Sequence, residues 1–425
     1  MSACIWRVRE RFAGSLFTSS TSLIPGEGLS KMLPASVALR LAAFGFRPGH
    51  WLQTTLSNLT RCRQLAASWP QYPPGSSLDV SAMLGPEPSE VVLKEPSRRD
   101  PRHSSLLLFP GQGSQFVGMG KGLQKYHNAR QMFAAAQKIL GYDLLSLCLN
   151  GPEGELNKTV HCQPAVFVTS LAAVERLHHE NPEAVEKCVG AAGFSVGEFA
   201  ALVFAGAIDF AEALYAVKVR AEAMQEASES IPSGMLSVMG QAGSKFKYAC
   251  LEAREHCKTL GIEDPVCEVA NYLFPNGRVI AGNLQALEYL QQNCRKFHFL
   301  RTKLLPVSGA FHTRLMASAA EPLHDILKGI SIEKPLISVY SNVDAKKYMN
   351  SKHIRQLLVK QLVMPVKWEQ TMHAMYEREQ GIDFPDTYEV GPGTQLGTML
   401  KNCNLKAWRF YQHIDVKLKD ETEEE

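Results

Sequence analysis

Apolar positions follow two rhythms along this chain, and the changes of rhythm mark its elements. Ser105-Leu106-Leu107-Leu108-Phe109 and Cys188 to Ala192 are short continuous apolar runs, as expected of strands buried on both faces. After the second run, Glu198-Phe199-Ala200-Ala201-Leu202-Val203-Phe204-Ala205 reads as a tightly packed helix that Gly206 closes. A longer helix carries Phe210, Ala213, Leu214, Val217 and Met224 on its apolar stripe. Helices and short strands alternate as far as Ser228, which predicts an α/β layer arrangement. From Ser233 to Val307 the rhythm changes. A strand at 234–239, a helix at 245–256, strands at 266–270 and 278–281, a helix at 284–294 and a strand at 297–305 give the order β-α-β-β-α-β, the ferredoxin-like pattern. The expected fold class is therefore α/β. Residues 104–230 and 308–410 are expected to form a large α/β subdomain, and residues 231–307 a small ferredoxin-like subdomain inserted in it. No internal repeat is present.

The flanks have a different composition. Arg7, Arg9, Arg11, Lys31, Arg40 and Arg47 are opposed only by Glu10 and Glu27 before His50, among many serines and threonines. Residues 1–60 therefore read as an organellar presequence, the alternative being a disordered basic tail. Residues 61–103 read as a Pro/Ser-rich linker, with one short helix around Leu78–Leu84. Residues 411–425 are expected to be a solvated tail, acidic from Asp420 onward.

Composition narrows the function classes. With 425 residues, 45% hydrophobic and 20% charged, the chain has ample material for one large domain or two moderate ones. A net charge of +3 without a basic-aromatic tract argues against a nucleic-acid partner. No apolar run has the length of a membrane span, so a soluble protein with no membrane partner is expected. The ten cysteines are scattered from Cys4 to Cys403, with no C-x-x-C pair and no Cys/His zinc spacing. Free thiols in a reducing compartment, and no metal site, are the expectation.

The most informative stretch for chemistry is Gly193-Phe194-Ser195-Val196-Gly197, a G-x-S-x-G between a strand and a helix. In that context the serine stands on a sharp turn, with the Val196 N–H and a helix N-terminus beside it. Roughly 0.15 matches to this pattern arise by chance in such a chain, so an ordinary strand-to-helix turn remains the alternative. Pro110-Gly111-Gln112-Gly113-Ser114-Gln115 is a second Gly-rich turn after a strand. The Walker spacing and its lysine are absent, which leaves presentation of a backbone N–H to an anionic oxygen. Arg220 lies on or beside the apolar stripe of its helix, and a buried guanidinium needs an anion. That anion is either an internal Asp or Glu or a substrate carboxylate held bidentately. His312 follows Ser308-Gly309-Ala310-Phe311 and precedes a helix with Leu315, Met316, Ala319, Leu323 and Ile326 on its apolar face. At a helix N-terminus a histidine is biased toward the neutral imidazole that a general base requires. As one of thirteen histidines it is otherwise a capping or packing residue.

From Leu106 to Trp408 the ordered motifs resemble malonyl-CoA:acyl carrier protein transacylases of type II fatty acid synthesis. They are F-P-G-Q-G-S-Q at 109–115, G-Y-D-L-L at 141–145, Gln163-Pro164-Ala165, G-F-S-V-G-E at 193–198 and R-A-E-A-M-Q-E at 220–226. G-A-F-H at 309–312, Q-L-V-M-P-V-K-W at 361–368 and E-V-G-P-G at 389–393 complete the series. The presequence adds a likeness to the mitochondrial members in animals. The resemblance implies an α/β-hydrolase-like core with an inserted ferredoxin-like subdomain. It makes Ser195 the nucleophile and His312 its base, with the N–H groups of Gln112 and Val196 as the oxyanion hole. It assigns Arg220 to the malonyl carboxylate with Gln163 beside it, and a main-chain carbonyl near Gln361, not an Asp side chain, to the support of His312. Bacterial members usually carry His where this chain has Phe194, so the lining of the acyl pocket is expected to differ. Phe311 is the bulky choice that related acyltransferases use when they prefer malonyl over α-branched substrates, and its ring is expected to occupy the space of a methyl branch. Malonyl-CoA and acyl carrier protein are the implied partners of a monomer in the mitochondrial matrix, with no cofactor beyond the CoA thioester as substrate. Two rivals are kept open: a serine hydrolase or thioesterase, which expects a carboxylate between Ser and His in chain order, and a non-catalytic module that binds carrier protein.

Overall fold

The apolar run Ser105–Phe109 is the central strand, β1, of a parallel sheet. Its continuous hydrophobicity has a direct cause: both faces are covered. Leu107 and Phe109 enter the core layer built with Phe167 and Phe199. Leu106 and Leu108 enter the opposite layer with Trp368 and Leu396. The computed structural model describes residues 104–379 and 382–417. The expected presequence, the linker with its short helix, and residues 418–425 lie outside the described residues.

The large sheet joins β1 to β2 (Cys188–Gly193), β7 (Ser338–Tyr340), β8 (Asp386–Val390) and β9 (Tyr411–Ile414), in the order β7-β2-β1-β8-β9, every pair parallel. The small sheet has the order β4-β5-β3-β6, every pair antiparallel, from β3 (Ser233–Gly240), β4 (Cys267–Phe274), β5 (Gly277–Asn283) and β6 (Phe299–Leu304). The main helices are α1 (His127–Leu140), α2 (Thr159–Glu180), α3 (Gly197–Phe204), α4 (Phe210–Ser230), α5 (Phe246–Thr259) and α6 (Leu284–Gln292). They continue with α7 (Ala320–Gly329), α8 (Ser351–Lys360), α9 (Trp368–Tyr376) and α10 (Gln395–Cys403).

The small sheet with α5 and α6 has the ferredoxin-like order. Its period-2 alternation divides the side chains: Leu236, Val238 and Ile280 pack with the two helices, while Met235, Val279 and Ala281 join the main core. The sheet thus has no bare face, and it sits on the large subdomain through residues that a one-residue register slip would expose.

One expectation is corrected. The tail does not begin at residue 411, because Tyr411–Ile414 form β9, parallel to β8. Tyr-Gln-His-Ile carries too little apolar alternation to read as a strand, and its order comes from the neighbour it pairs with. No single helix among the described residues is long and apolar enough to cross a membrane. The eight cysteines among them are free.

Candidate active site

The turn between β2 and α3 is compressed to a degree that only glycine permits. A Cβ on Gly193 would fall 1.9 Å from the carbonyl carbon of Gly197, and one on Gly197 would fall 2.3 Å from the carbonyl oxygen of Phe109. The second contact also brings the start of the loop at 110–115 against the elbow. Ser195 sits at the apex with φ +53°, the left-handed region that a side chain adopts at a cost of on the order of 1–3 kcal/mol. Its N–H donates to Asn342 Oδ1 at 2.7 Å, and Asn342 Nδ2 donates to the Gly193 carbonyl at 2.7 Å. Asn342 therefore braces the elbow from the end of β7.

Ser195 Oγ and His312 Nε2 are 2.9 Å apart, and His312 Nδ1 donates to the Gln361 carbonyl at 2.7 Å. Because a carbonyl only accepts, the proton resides on Nδ1 and Nε2 is left to accept from the serine hydroxyl. His312 is itself left-handed, φ +61°. Burial lowers its pKa to about 4, and the nearby Arg220 charge adds to this against the pull of the Gln361 carbonyl. The neutral imidazole is thus a product of desolvation. The helix N-terminus invoked from the sequence is displaced: Thr313 caps a 3-10 segment, Arg314–Ala319, which only then leads into α7.

Arg220 is fully buried on α4. Among the described residues no carboxylate lies within ion-pair distance of it, which excludes the direct internal salt bridge. Its acceptors are neutral: NH1 donates to Gln163 Oε1 at 2.5 Å, and NH2 donates to Ser195 Oγ at 3.1 Å and to Gln361 Oε1 at 2.9 Å. Nε has no acceptor. Burial lowers this guanidinium's pKa to about 10, opposed by the charge of Glu198, so it stays cationic at neutral pH. A cation with donors to spare, held beside a serine hydroxyl, has the chemistry to receive an anionic group.

Gln163, near the start of α2, links this cation to the Gly-rich loop. Its Nε2 donates to Gln112 Oε1 at 3.3 Å, and Gln112 Nε2 donates to Thr159 Oγ1 at 3.2 Å. The N–H groups of Gln112 and Val196 donate to no acceptor among the described residues. Phe311 is buried in the main core, and Phe194 packs edge-on against Trp368 with ring centroids 5.4 Å apart. No group of His, Cys, Asp and Glu side chains among the described residues could hold a metal ion.

Residues 106–385 match the family described as acyl transferase domain. The Homo sapiens malonyl-CoA-acyl carrier protein transacylase, mitochondrial, is 63% identical over 358 residues, covering 83% of this chain and 91% of that protein. The chain belongs to the malonyl-CoA-acyl carrier protein transacylases. An acyl carrier protein S-malonyltransferase from Vibrio cholerae has the same fold, with TM-score 0.65 and 32% identity over 74% of this chain and 97% of that one. A malonyl-transacylase in complex with its type II PKS acyl carrier protein gives TM-score 0.64 and 34% identity over 73% and 94%.

The structure of this transacylase brings Ser195, His312, Arg220, Gln163 and the Gln361 carbonyl into one connected site. It also adds three residues that the sequence reading left out: Asn342, Glu198 and Tyr348. Glu198 is fully buried, accepting from the Asn342 N–H at 3.2 Å, from the Tyr348 hydroxyl and from Gln361 Nε2. Burial pushes its carboxyl up to about 7, against those donors and the Arg220 charge. The signal for it was present: it is the one charged residue of the otherwise apolar helix α3.

Proposed function

We propose that Ser195 is the nucleophile of this S-malonyltransferase, that His312 is its general base and acid, and that Arg220 anchors the malonyl carboxylate. One observation carries the assignment: Ser195 Oγ is within hydrogen-bond reach of both His312 Nε2 and Arg220 NH2. In a malonyl-serine ester the free carboxylate lies only two bonds beyond the ester carbonyl. A guanidinium that reaches Oγ therefore reaches that carboxylate too.

The cycle moves the malonyl group from malonyl-CoA to acyl carrier protein. Nε2 takes the Ser195 proton as Oγ attacks the thioester carbonyl, and the N–H groups of Gln112 and Val196 receive the oxyanion. The C–S bond breaks, and the imidazolium returns its proton to the departing CoA sulfur. In the second half Nε2 takes the proton of the carrier protein's phosphopantetheine thiol. The sulfur attacks the ester, and the serine oxygen leaves with that proton. Thioester replaces thioester, so no cofactor is required, and exclusion of water protects the acyl-enzyme. A carbonyl in place of an Asp supports His312 without adding negative charge.

Mixing the protein with malonyl-CoA and weighing it intact tests this reading. The expected result is a malonyl adduct, discharged by acyl carrier protein and absent from Ser195→Ala. Rapid loss of the adduct to water identifies a hydrolase, and no adduct a binding module. His312→Ala should slow acylation by about 10²–10⁴-fold, the range of a general base. The relatives carry mitochondrial names, and this protein is mitochondrial. We place it finer, in the matrix and as a monomer; its mass by light scattering checks the latter.

A further inference from the structure

Glu198 takes no part in the cycle above, yet it is tied to both of its selective elements. It follows the nucleophile by three residues, and its carboxylate receives Gln361 Nε2. Gln361 is shared between four groups. Its main-chain carbonyl holds His312, its Nε2 also donates to the Ser195 carbonyl at 3.1 Å, and its Oε1 accepts from Arg220 at 2.9 Å. A primary amide has one donor end and one acceptor end, a guanidinium only donates, and an ionised carboxylate only accepts. The Gln361 amide is therefore held in one orientation from both sides. Turned over, it would set an NH₂ against the guanidinium and a carbonyl against two other acceptors.

We propose that Glu198 is a positioning residue for acyl-group selection: by fixing the Gln361 amide it holds Arg220 over the nucleophile, aimed at a carboxylated acyl group. The proposal rests on the reading of Arg220 as the malonyl anchor. Its distance from Arg220 is part of the device. A carboxylate paired directly with the guanidinium would occupy the N–H groups that malonate needs. Placed one amide away, it balances the buried positive charge and leaves those donors for the substrate. Tyr348 and the Asn342 N–H fix the carboxylate in turn.

Glu198→Gln tests this with almost no change of shape, because an amide has one acceptor end where the carboxylate has two and cannot accept from Gln361 Nε2 and from the Asn342 N–H and Tyr348 hydroxyl at once. kcat/KM for malonyl-CoA should fall about 10–100-fold, the scale of a misplaced binding group, while that for acetyl-CoA changes by less than about threefold. The malonyl-to-acetyl ratio is a readout that a loss of general stability does not move. Arg220→Ala is measured alongside. If it collapses the ratio and Glu198→Gln does not, the positioning role is overturned and the anchor reading stands. If Arg220→Ala itself leaves the ratio unchanged, the anchor reading fails and this proposal with it. Should Glu198→Gln not fold, Gln361→Leu carries the test, since it removes the amide and keeps the main-chain carbonyl that holds His312. A narrowed ratio then supports the proposal, and an unchanged ratio overturns it.

Discussion

At the scale of single residues, the character of the site comes from a full positive charge buried among neutral acceptors. Arg220 touches Gln163, Gln361 and Ser195 and, among the described residues, no carboxylate, so on the proposed reading the anion that pairs with it directly arrives with the substrate. Removing one partner of a desolvated charge pair commonly costs about 2–5 kcal/mol. Arg220→Ala should therefore lower kcat/KM for malonyl-CoA by roughly 10–10³-fold and leave acetyl-CoA, which brings no carboxylate, little affected. Steady-state kinetics on both substrates, with a melting curve, checks this. Equal losses for the two substrates together with a large drop in melting temperature would make Arg220 a structural residue. The sequence placed Arg220 on a buried stripe and left its counter-ion open, because helical spacing reports burial and not what lies across the interface. Ser195 was legible because strand, G-x-S-x-G and helix are adjacent in the chain. Glu198 was not read as a partner of Arg220, since Asn342, Tyr348 and Gln361 reach it from 144 to 163 residues further along.

Elements meet at a second buried carboxylate, which shows how the sheet's far side is held. Glu389 on β8 accepts from the N–H groups of Leu396 (3.1 Å) and Gly397 (2.8 Å) at the start of α10, and from the Tyr411 hydroxyl on β9. One side chain thus ties two elements to a third. Burial pushes its carboxyl from an ordinary 4.5 up to about 7, against Tyr411 and the two N–H groups. With the folded pKa above the unfolded one, the native state holds the proton more tightly. The stability this group contributes is then full below pH 4.5 and is lost as pH rises through 7. Glu389→Gln does not titrate, so the gap between the two proteins, the parent's stability minus the variant's, carries the pH dependence of this one group. Urea unfolding at several pH values should find that gap shrinking as pH rises from 4.5 through 7; a constant gap would contradict the raised pKa. Glu198 and His312 are common to both proteins and cancel in the comparison. The E-V-G-P-G motif was visible in the sequence, but β9 was not, because its order depends on β8 and on this carboxylate. The small sheet, by contrast, was readable almost strand by strand, since each of its elements carries its own alternation and its partners lie close in sequence.

Across the whole molecule, the strands run from Ser105 to Ile414, and every residue assigned to the site falls between Gln112 and Gln361. Those strands and site residues all lie outside the Arg-rich, acid-poor first sixty residues and the Pro/Ser stretch behind them. Those segments have the composition of a targeting signal and a spacer, which act on where the protein goes and not on what it does. A chain starting at Arg98 should fold, form the malonyl-serine adduct and discharge it to acyl carrier protein at the rate of the full-length chain. In cells it should stay in the cytosol, while the full-length chain should enter mitochondria and be shortened on arrival. Two measurements check this: transfer kinetics of the shortened chain in vitro, and protease protection of both forms in isolated mitochondria. Import of the shortened chain would place the targeting information inside the catalytic fold. A failure of that chain to fold or transfer would assign the first 97 residues a structural role.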